Sequence, residues 1–346
     1  MDTILSLRRR QLMVGLGALA AVGCSRTDGV PRSAYAQFGG ATMGSNWTVR
    51  LDAAGHDARG LRDAVQAALD AVDARMSMYR ADSELSRLNR AAAGPVALSD
   101  DLYAVLAAAA EISDWSGGAF DVTVAPLVEA WGFGTRRVRR RPDAIEVEQG
   151  RRRVGWRGVS LDATRRQAVK RHDALQVDLG GIAKGYGIDC AAAALDARGV
   201  QNYMLEAGGE VRTRGVNAEG RSWRIGIEEP DAQPQRVRWA VPLTGRAMAT
   251  SGDYRNFFVE DGVRYSHEID AGSGAPIHHG LCSVTVVTDD CMRADALATA
   301  LIVLGPDRGP LLAEASGMAA HFIERRGTTL VDRQTSAFAA LGAVRA

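Results

Sequence analysis

Lysine is nearly absent from this 346-residue chain: of 42 basic residues only Lys170 and Lys184 are lysines, and the other 40 are arginines. Arginine that abundant, in a chain also rich in alanine and glycine, does not by itself mark phosphate binding. An excess of one charge is lacking too. The 42 basic and 41 acidic residues leave +1, and setting aside residues 1–23 leaves 39 against 40. No global field therefore draws the chain to nucleic acid. Cysteine is scarce: there are four and no C-x-x-C pair, which argues against a disulfide framework or a zinc site. A bridge between Cys282 and Cys291 and a set of unpaired thiols both stay open. There is no internal repeat, low-complexity block or Pro/Gly/Ser linker. What is present is ordinary for a globular protein, 46% hydrophobic and 24% charged. A disordered chain and a collagen are excluded. Length alone allows two domains or one large unit.

Residues 8–24 read RRRQLMVGLGALAAVGC, a basic cluster followed by the apolar run Leu12–Val22. That run falls short of the ~20 residues that span a bilayer. It reads as a secretory signal, residues 1–23. Ala21-Val22-Gly23-Cys24 resembles a bacterial lipobox, with Cys24 as the lipidated first residue. Arg9-Arg10 before Gln11-Leu12-Met13 also resembles a twin-arginine export signal. A plain cleaved signal with an incidental cysteine is the alternative. Residues 24–36, polar with Gly and Pro, read as a lipid-anchored tether.

From residue 37 to 346 the pattern predicts one α+β domain. Trp47, Val49 and Leu51 alternate with polar residues as in a strand. Leu61, Val65, Leu69 and Val72 recur at helical spacing over 58–76, and Ser99 opens a second helix over 100–115. Residues 174–179 predict a buried strand and Gly180–Arg198 a glycine-rich turn entering a helix stopped by Gly199. Strands are expected at 203–206, 223–227, 283–288 and 319–323, with an apolar helix at 293–304. The basic, Pro142-containing segment 136–158 reads as a surface excursion.

Four segments could carry chemistry. In Val177-Asp-Leu-Gly-Gly-Ile-Ala-Lys-Gly-Tyr-Gly-Ile-Asp189, paired glycines precede a helix N-terminus, which offers free N–H groups to an anion. Lys184 would add a point charge for a phosphate; a merely tight turn, and a lysine surviving by chance, are the plain alternatives. Asp295 and Thr299 are four apart, so their oxygens share a helix face. Hard oxygens suit magnesium, which takes few protein ligands beside phosphate; helix capping by Asp295 and back-bonding by Thr299 fit as well. Thr250–Tyr254 reads as a hydroxyl-rich turn, and His267, on a strand with Tyr265, is either a general base or a structural histidine. Gly117–Pro126 and Trp131–Gly134 combine Asp121 with aromatic surface suited to a flat ligand.

Taken in order, Met43-Gly44-Ser45, Ser77-Met-Tyr79-Arg80, Ser83-Glu-Leu-Ser-Arg-Leu-Asn89, Gly118-Ala-Phe-Asp121, Asp178-Leu-Gly-Gly-Ile-Ala-Lys-Gly-Tyr186, Ala207-Gly-Gly209, Thr250-Ser-Gly-Asp-Tyr254, Ser266-His267 and Ala294-Asp-Ala-Leu-Ala-Thr299 closely resemble the ApbE family of FAD:protein FMN transferases. The likeness covers roughly residues 40–325. It implies a T-fold-like α+β domain with mixed or antiparallel sheets and flanking helices. It implies Mg²⁺-dependent transfer of FMN from FAD, the substrate, to a threonine or serine hydroxyl of a partner flavoprotein, with release of AMP. FAD contacts carry over onto Met43, Tyr79, Ala119, Phe120, Asp121, Lys184 and His267. Metal ligands carry over onto Asp295, Thr299 and the carbonyl of Gly181, and catalysis rests on His267 and Lys184. The expected partner is the acceptor flavoprotein of a membrane electron-transfer complex, met on the periplasmic side of the bacterial envelope by an enzyme anchored through Cys24. FAD hydrolysis to FMN and AMP, or a flavin-binding lipoprotein without catalysis, are the competing readings. Gly187, where alanine is common, and Ser273, where threonine is common, depart from the pattern.

Overall fold

The computed structural model describes residues 35–136 and 138–346, so the signal segment, Cys24 and most of the tether lie outside the described residues. One compact unit takes in Ser33–Ala346.

Its centre is an eight-stranded sheet. The strands are β1 (Tyr35–Thr42), β2 (Ser45–Asp52), β3 (Tyr203–Ala207), β4 (Glu210–Arg214), β5 (Ala247–Gly252), β6 (Leu281–Thr288), β7 (Ala319–Arg326) and β8 (Thr329–Gln334). They lie side by side in chain order, each antiparallel to the next. The β1–β2 hairpin closes through Met43 and Gly44, both with positive φ, the conformation that two-residue hairpin turns demand. In β2 the alternation is clean: Trp47, Val49 and Leu51 are buried on one face, while Asn46, Thr48 and Arg50 take the other.

Helices cover the first face. They are α1 (Ala58–Met76), α3 (Ala183–Asp196) and α4 (Cys291–Ala315), while α2 (Asp100–Trp115) packs outside them with Val72 of α1 and Ala296 and Ala300 of α4. Leu61, Val65 and Leu69 of α1 pack with Ile188 and Leu195 of α3 onto Trp47, Val49 and Leu205. Leu301 and Ile302 of α4 pack onto Val284 and Val286 of β6. On the opposite face lies a small sheet in which the strand Val237–Leu243 pairs with Trp223–Glu228 and Val344–Arg345. Ile225, Ile227 and Val241 bury against Val211, Met248 and Val287 there. With both faces covered, β6 is buried almost throughout rather than alternately, its Ser283 and Thr285 included.

Three expectations are corrected. Residues 175–179 have no regular secondary structure: Leu175, Val177 and Leu179 are buried, but the segment joins no sheet among the described residues. The Asn89 side chain stands in for a neighbouring strand, donating to the Val177 carbonyl (2.8 Å) and accepting from its N–H (2.7 Å). Asp178 N–H reaches the Val122 carbonyl at 2.7 Å. Thr250 and Ser251 sit on β5 rather than in a turn, and His267 lies in a bend just after the strand Val263–Ser266. The α4 cap is Asp290, whose carboxylate accepts from Arg293 N–H, so Asp295 is free for another role; the helix kinks at Gly305 (φ 79°). Among the described residues Cys282 and Cys291 are separate buried thiols, and Cys190 is also free.

Candidate active site

A cleft of about 1350 Å³ opens where two hairpin turns, Met43-Gly44 and Gly208-Gly209, meet the first turn of α3. All ten positions singled out from the sequence as FAD, metal or catalytic contacts line it: Met43, Tyr79, Ala119, Phe120, Asp121, Gly181, Lys184, His267, Asp295 and Thr299. They come from stretches up to 256 residues apart, and local packing explains how they meet.

Helices α3 and α4 touch at their N-termini because residue 185 is glycine: a Cβ there would lie 2.3 Å from the Cys291 carbonyl oxygen. Gly185 N–H donates to Asp295 Oδ2 at 3.0 Å. One turn on, the Asp189 carboxylate accepts from the free N–H groups of Cys291 and Met292, both at 2.9 Å, capping α4 from outside. Lys184 and Asp295 are thereby brought to one floor. Lys184 Nζ pairs with Glu210 at the start of β4, and Glu210 is 2% exposed. Thr299 Oγ1 lies 3.1 Å from Ser251 Oγ, and a Cβ on Gly181 would approach Thr299 Oγ1 to 3.0 Å and the Phe120 ring to 3.3 Å. Gly181, Ser251 and Thr299 thus converge beside Asp295.

The walls are set by loops. Asp121 accepts from Thr123 N–H (2.7 Å) and Oγ1 (2.6 Å) on one oxygen and from Trp156 N–H (3.1 Å) on the other, which shapes the Ala119–Phe120 wall. Tyr79 stands at the mouth, largely exposed. Met43 leans on Gly187, where a Cβ would come within 2.8 Å of its methyl carbon, so the glycine makes room for that side chain. His267 N–H donates to the Asn256 carbonyl at 3.0 Å. Arg139 of the basic segment holds the same loop through Asn256 Oδ1 (2.6 Å) and the Phe257 carbonyl (3.0 Å). The segment 136–158 is therefore partly a brace, and it contains the helix Ala144–Arg151.

A family model, the ApbE family, matches residues 43–322. The chain belongs to the ApbE family. It is 40% identical over 308 residues to the FAD:protein FMN transferase of Haemophilus influenzae, covering 86% of this chain and 89% of that protein. It is 37% identical over 337 residues to the enzyme of the same name from Vibrio cholerae, covering 95% and 98%. Among solved structures, the apo flavinyl transferase ApbE of Pseudomonas stutzeri superimposes with a TM-score of 0.81 at 41% identity, covering 89% of this chain and 96% of that one. The flavin transferase ApbE of Vibrio cholerae does so with 0.81 at 38%, covering 89% and 99%.

Electrostatics in this ApbE cleft follow from burial. Desolvation alone would lower Lys184, but Glu210 and Asp295 hold its pKa above the ordinary lysine value, so it is an ammonium at any working pH. Burial pushes Asp295 up, against the pull of Lys184, and pushes the neighbouring Glu268 up to about 8. His267 has 37% of its side chain exposed to the cleft, yet the surrounding walls and then Lys184 lower it to about 4, leaving a neutral ring. Its Nδ1 is buried without a hydrogen-bond partner among the described residues, and Nε2 lies 3.8 Å from Glu268 Oε1. Among the described residues no group of three or more His, Cys, Asp or Glu gathers to hold a metal. The side-chain donors beside Gly181 are instead one carboxylate raised by burial and two hydroxyls. That hard, sparse set suits a magnesium ion that takes its remaining ligands from phosphate and water.

Sequence reasoning singled out no role for Glu210, Ser251, Glu268 or Asp189. Glu210 directly follows the Ala207-Gly-Gly209 motif and Ser251 lies within Thr250–Tyr254, so the signal for those two was proximity to a motif. Glu268 carries no pattern of its own.

Proposed function

We propose that this chain moves FMN from FAD onto a threonine or serine hydroxyl of a partner flavoprotein, with Mg²⁺ required and AMP released. The observation that carries the reading is the single floor shared by Lys184, Asp295, Thr299 and Gly181, with His267 on the wall of the same cleft. A cationic, oxygen-rich floor suits a diphosphate, and the Ala119–Phe120 wall and Tyr79 suit flat rings.

In the step itself the acceptor oxygen forms a bond to the FMN phosphorus while the bridging P–O bond to AMP breaks. The bonding electrons leave with AMP, and the hydroxyl proton goes to a ring nitrogen of His267. Magnesium held by Asp295, Thr299 and the Gly181 carbonyl would supply charge neutralisation at the bridging oxygen. Lys184 offsets charge on the diphosphate as a fixed ammonium, positioned by Glu210. His267 is neutral in the free protein and so able to accept a proton. An anionic diphosphate beside Lys184 cancels part of the charge that depresses His267, so its proton affinity rises when FAD binds.

Incubation with FAD, Mg²⁺ and a candidate acceptor, read by acceptor mass and free AMP, tests the reading. Mass gain with AMP supports transfer; AMP alone means hydrolysis; neither means a carrier.

The same reading puts the enzyme on the periplasmic side of the envelope, tethered through Cys24 to serve a membrane electron-transfer complex. The basic, apolar and small-residue order of residues 8–24 supports it. Cys24→Ser should release the protein from the membrane fraction, and unchanged membrane association would count against lipidation.

A further inference from the structure

The cleft does not end at the diphosphate floor. It continues over the open face of β1–β3, and strand register sets its base. Gln37 stands opposite Arg50 and Arg50 opposite Met204, while Thr48 stands opposite Glu206. These side chains point away from the helix layer, because Trp47, Val49 and Leu51 occupy the other face.

One side of this extension is the strand Trp223–Glu228. It is the edge of the small sheet, bonded among the described residues to Val237–Leu243 on one side only. Ala346 N–H bonds the Arg238 carbonyl at 3.0 Å, so the even-numbered residues of Val237–Leu243 direct their backbone groups toward Val344–Arg345. Proline at 242, opposite Arg224, fits that alternation, since the Arg224 pair then needs no N–H from it. Trp223, Ile225 and Ile227 therefore bond inward, and the N–H and C=O groups of Arg224 and Gly226 face the open edge.

The edge is continuous with the reaction centre. Glu228, at its end, pairs with Arg255, the neighbour of Asn256, whose carbonyl takes the His267 N–H. Glu206, on the base, accepts from Gly209 N–H of the turn that precedes Glu210. Arg224 has no ion-pair partner among the described residues, and Arg50 bonds only the neutral Gln37 there.

We propose that the acceptor presents its hydroxyl in an extended segment that adds as a further strand to Trp223–Glu228, over the face of β1–β3, with acidic side chains meeting Arg50 and Arg224. An open edge offers backbone bonds to any extended chain, and pockets for alternate side chains set which chain is taken. The inference rests on the reading of this chain as a transferase to protein.

The probe is a positional library of 12-residue peptides with one central threonine, incubated with the protein, FAD and Mg²⁺ and read by mass for FMN gain. The best-labelled peptide is then remade with single backbone N-methyl groups. Labelling should fall about tenfold or more at alternate positions on one side of the threonine and hold at those between. A flat profile overturns strand addition. Arg224→Glu, at an exposed position, should raise the KM for that peptide roughly three- to tenfold while FAD affinity holds; an unchanged KM overturns the groove. Labelling of folded acceptors but of no peptide also overturns it and leaves the transferase reading standing. If FAD yields neither labelled product nor AMP, the transferase reading itself fails.

Discussion

Lys184 of α3 and Glu210 of β4 form an ion pair at the base of the cleft, the carboxylate almost wholly buried and the ammonium about one-third exposed. The pair joins the helix layer to the sheet at the point where the substrate's charge is expected, so it bears on both stability and binding.

Lys184→Ala leaves Glu210 buried without its cation. Breaking a fully buried pair costs about 3–5 kcal/mol, and the partial exposure of Lys184 reduces that to about 1–3 kcal/mol. Adding Glu210→Gln to Lys184→Met should recover most of the stability without recovering FAD cleavage. Urea midpoints and AMP release separate the two effects. A double variant that regains cleavage would remove Lys184 from the reaction.

Asp295→Asn keeps an oxygen for the Gly185 N–H and removes the charge. The fold should hold, with the melting temperature within a few degrees, while transfer at limiting Mg²⁺ falls by about 100-fold or more. Calorimetric titration with Mg²⁺ in the presence of FAD provides a readout apart from activity. Wild-type metal affinity in the variant would refute the ligand assignment.

His267→Ala should lower the single-turnover rate at saturating FAD by about 10²–10⁴-fold with FAD affinity nearly intact. In the free enzyme the ring is neutral down to about pH 4. The acid limb of kcat/KM should therefore lie well below the ~6.5 of an unperturbed imidazole. Full rescue by excess FAD would reduce His267 to a binding residue.

His321 is completely buried between Trp239 and Phe338, and burial lowers it to about 4 against the pull of Asp332, 3.3 Å away. Between pH 6.5 and 4 the unfolded chain takes up a proton that the folded chain refuses. Stability therefore falls as pH falls through that window, by about 3 kcal/mol for this one group. His321→Phe should flatten the difference between urea midpoints measured at pH 7 and pH 4.5. An unchanged difference would mean that His321 titrates normally in the fold.

Much of the architecture was legible in local pattern. The helix over 58–76 agrees end to end with α1, and Ser99 caps α2 as its position suggested. Such elements declare themselves because periodic burial and capping act within a few residues. The segment 174–179 could not be read the same way. Its apolar residues are buried as in a strand, yet in place of a neighbouring strand Val177 bonds a side chain 88 residues away and Asp178 N–H one carbonyl of another loop. The bend at His267 was likewise hidden, since Tyr265 and Ile269 keep an apolar spacing across it while the chain leaves one small hairpin and enters another.

The sequence by itself determined the order of the motifs, the helix faces and the family to which the chain belongs. It also singled out the oxygen pair Asp295 and Thr299, since four-residue spacing on a helix places both on one face. Only the tertiary structure decided that Lys184 answers to Glu210, that Ser251 stands against Thr299, that His267 is held neutral, and that the strand Trp223–Glu228 keeps an open edge beside the cleft. Those facts depend on which distant backbones pair and on how far each charge is withdrawn from water. Neither is a property of any short stretch of chain.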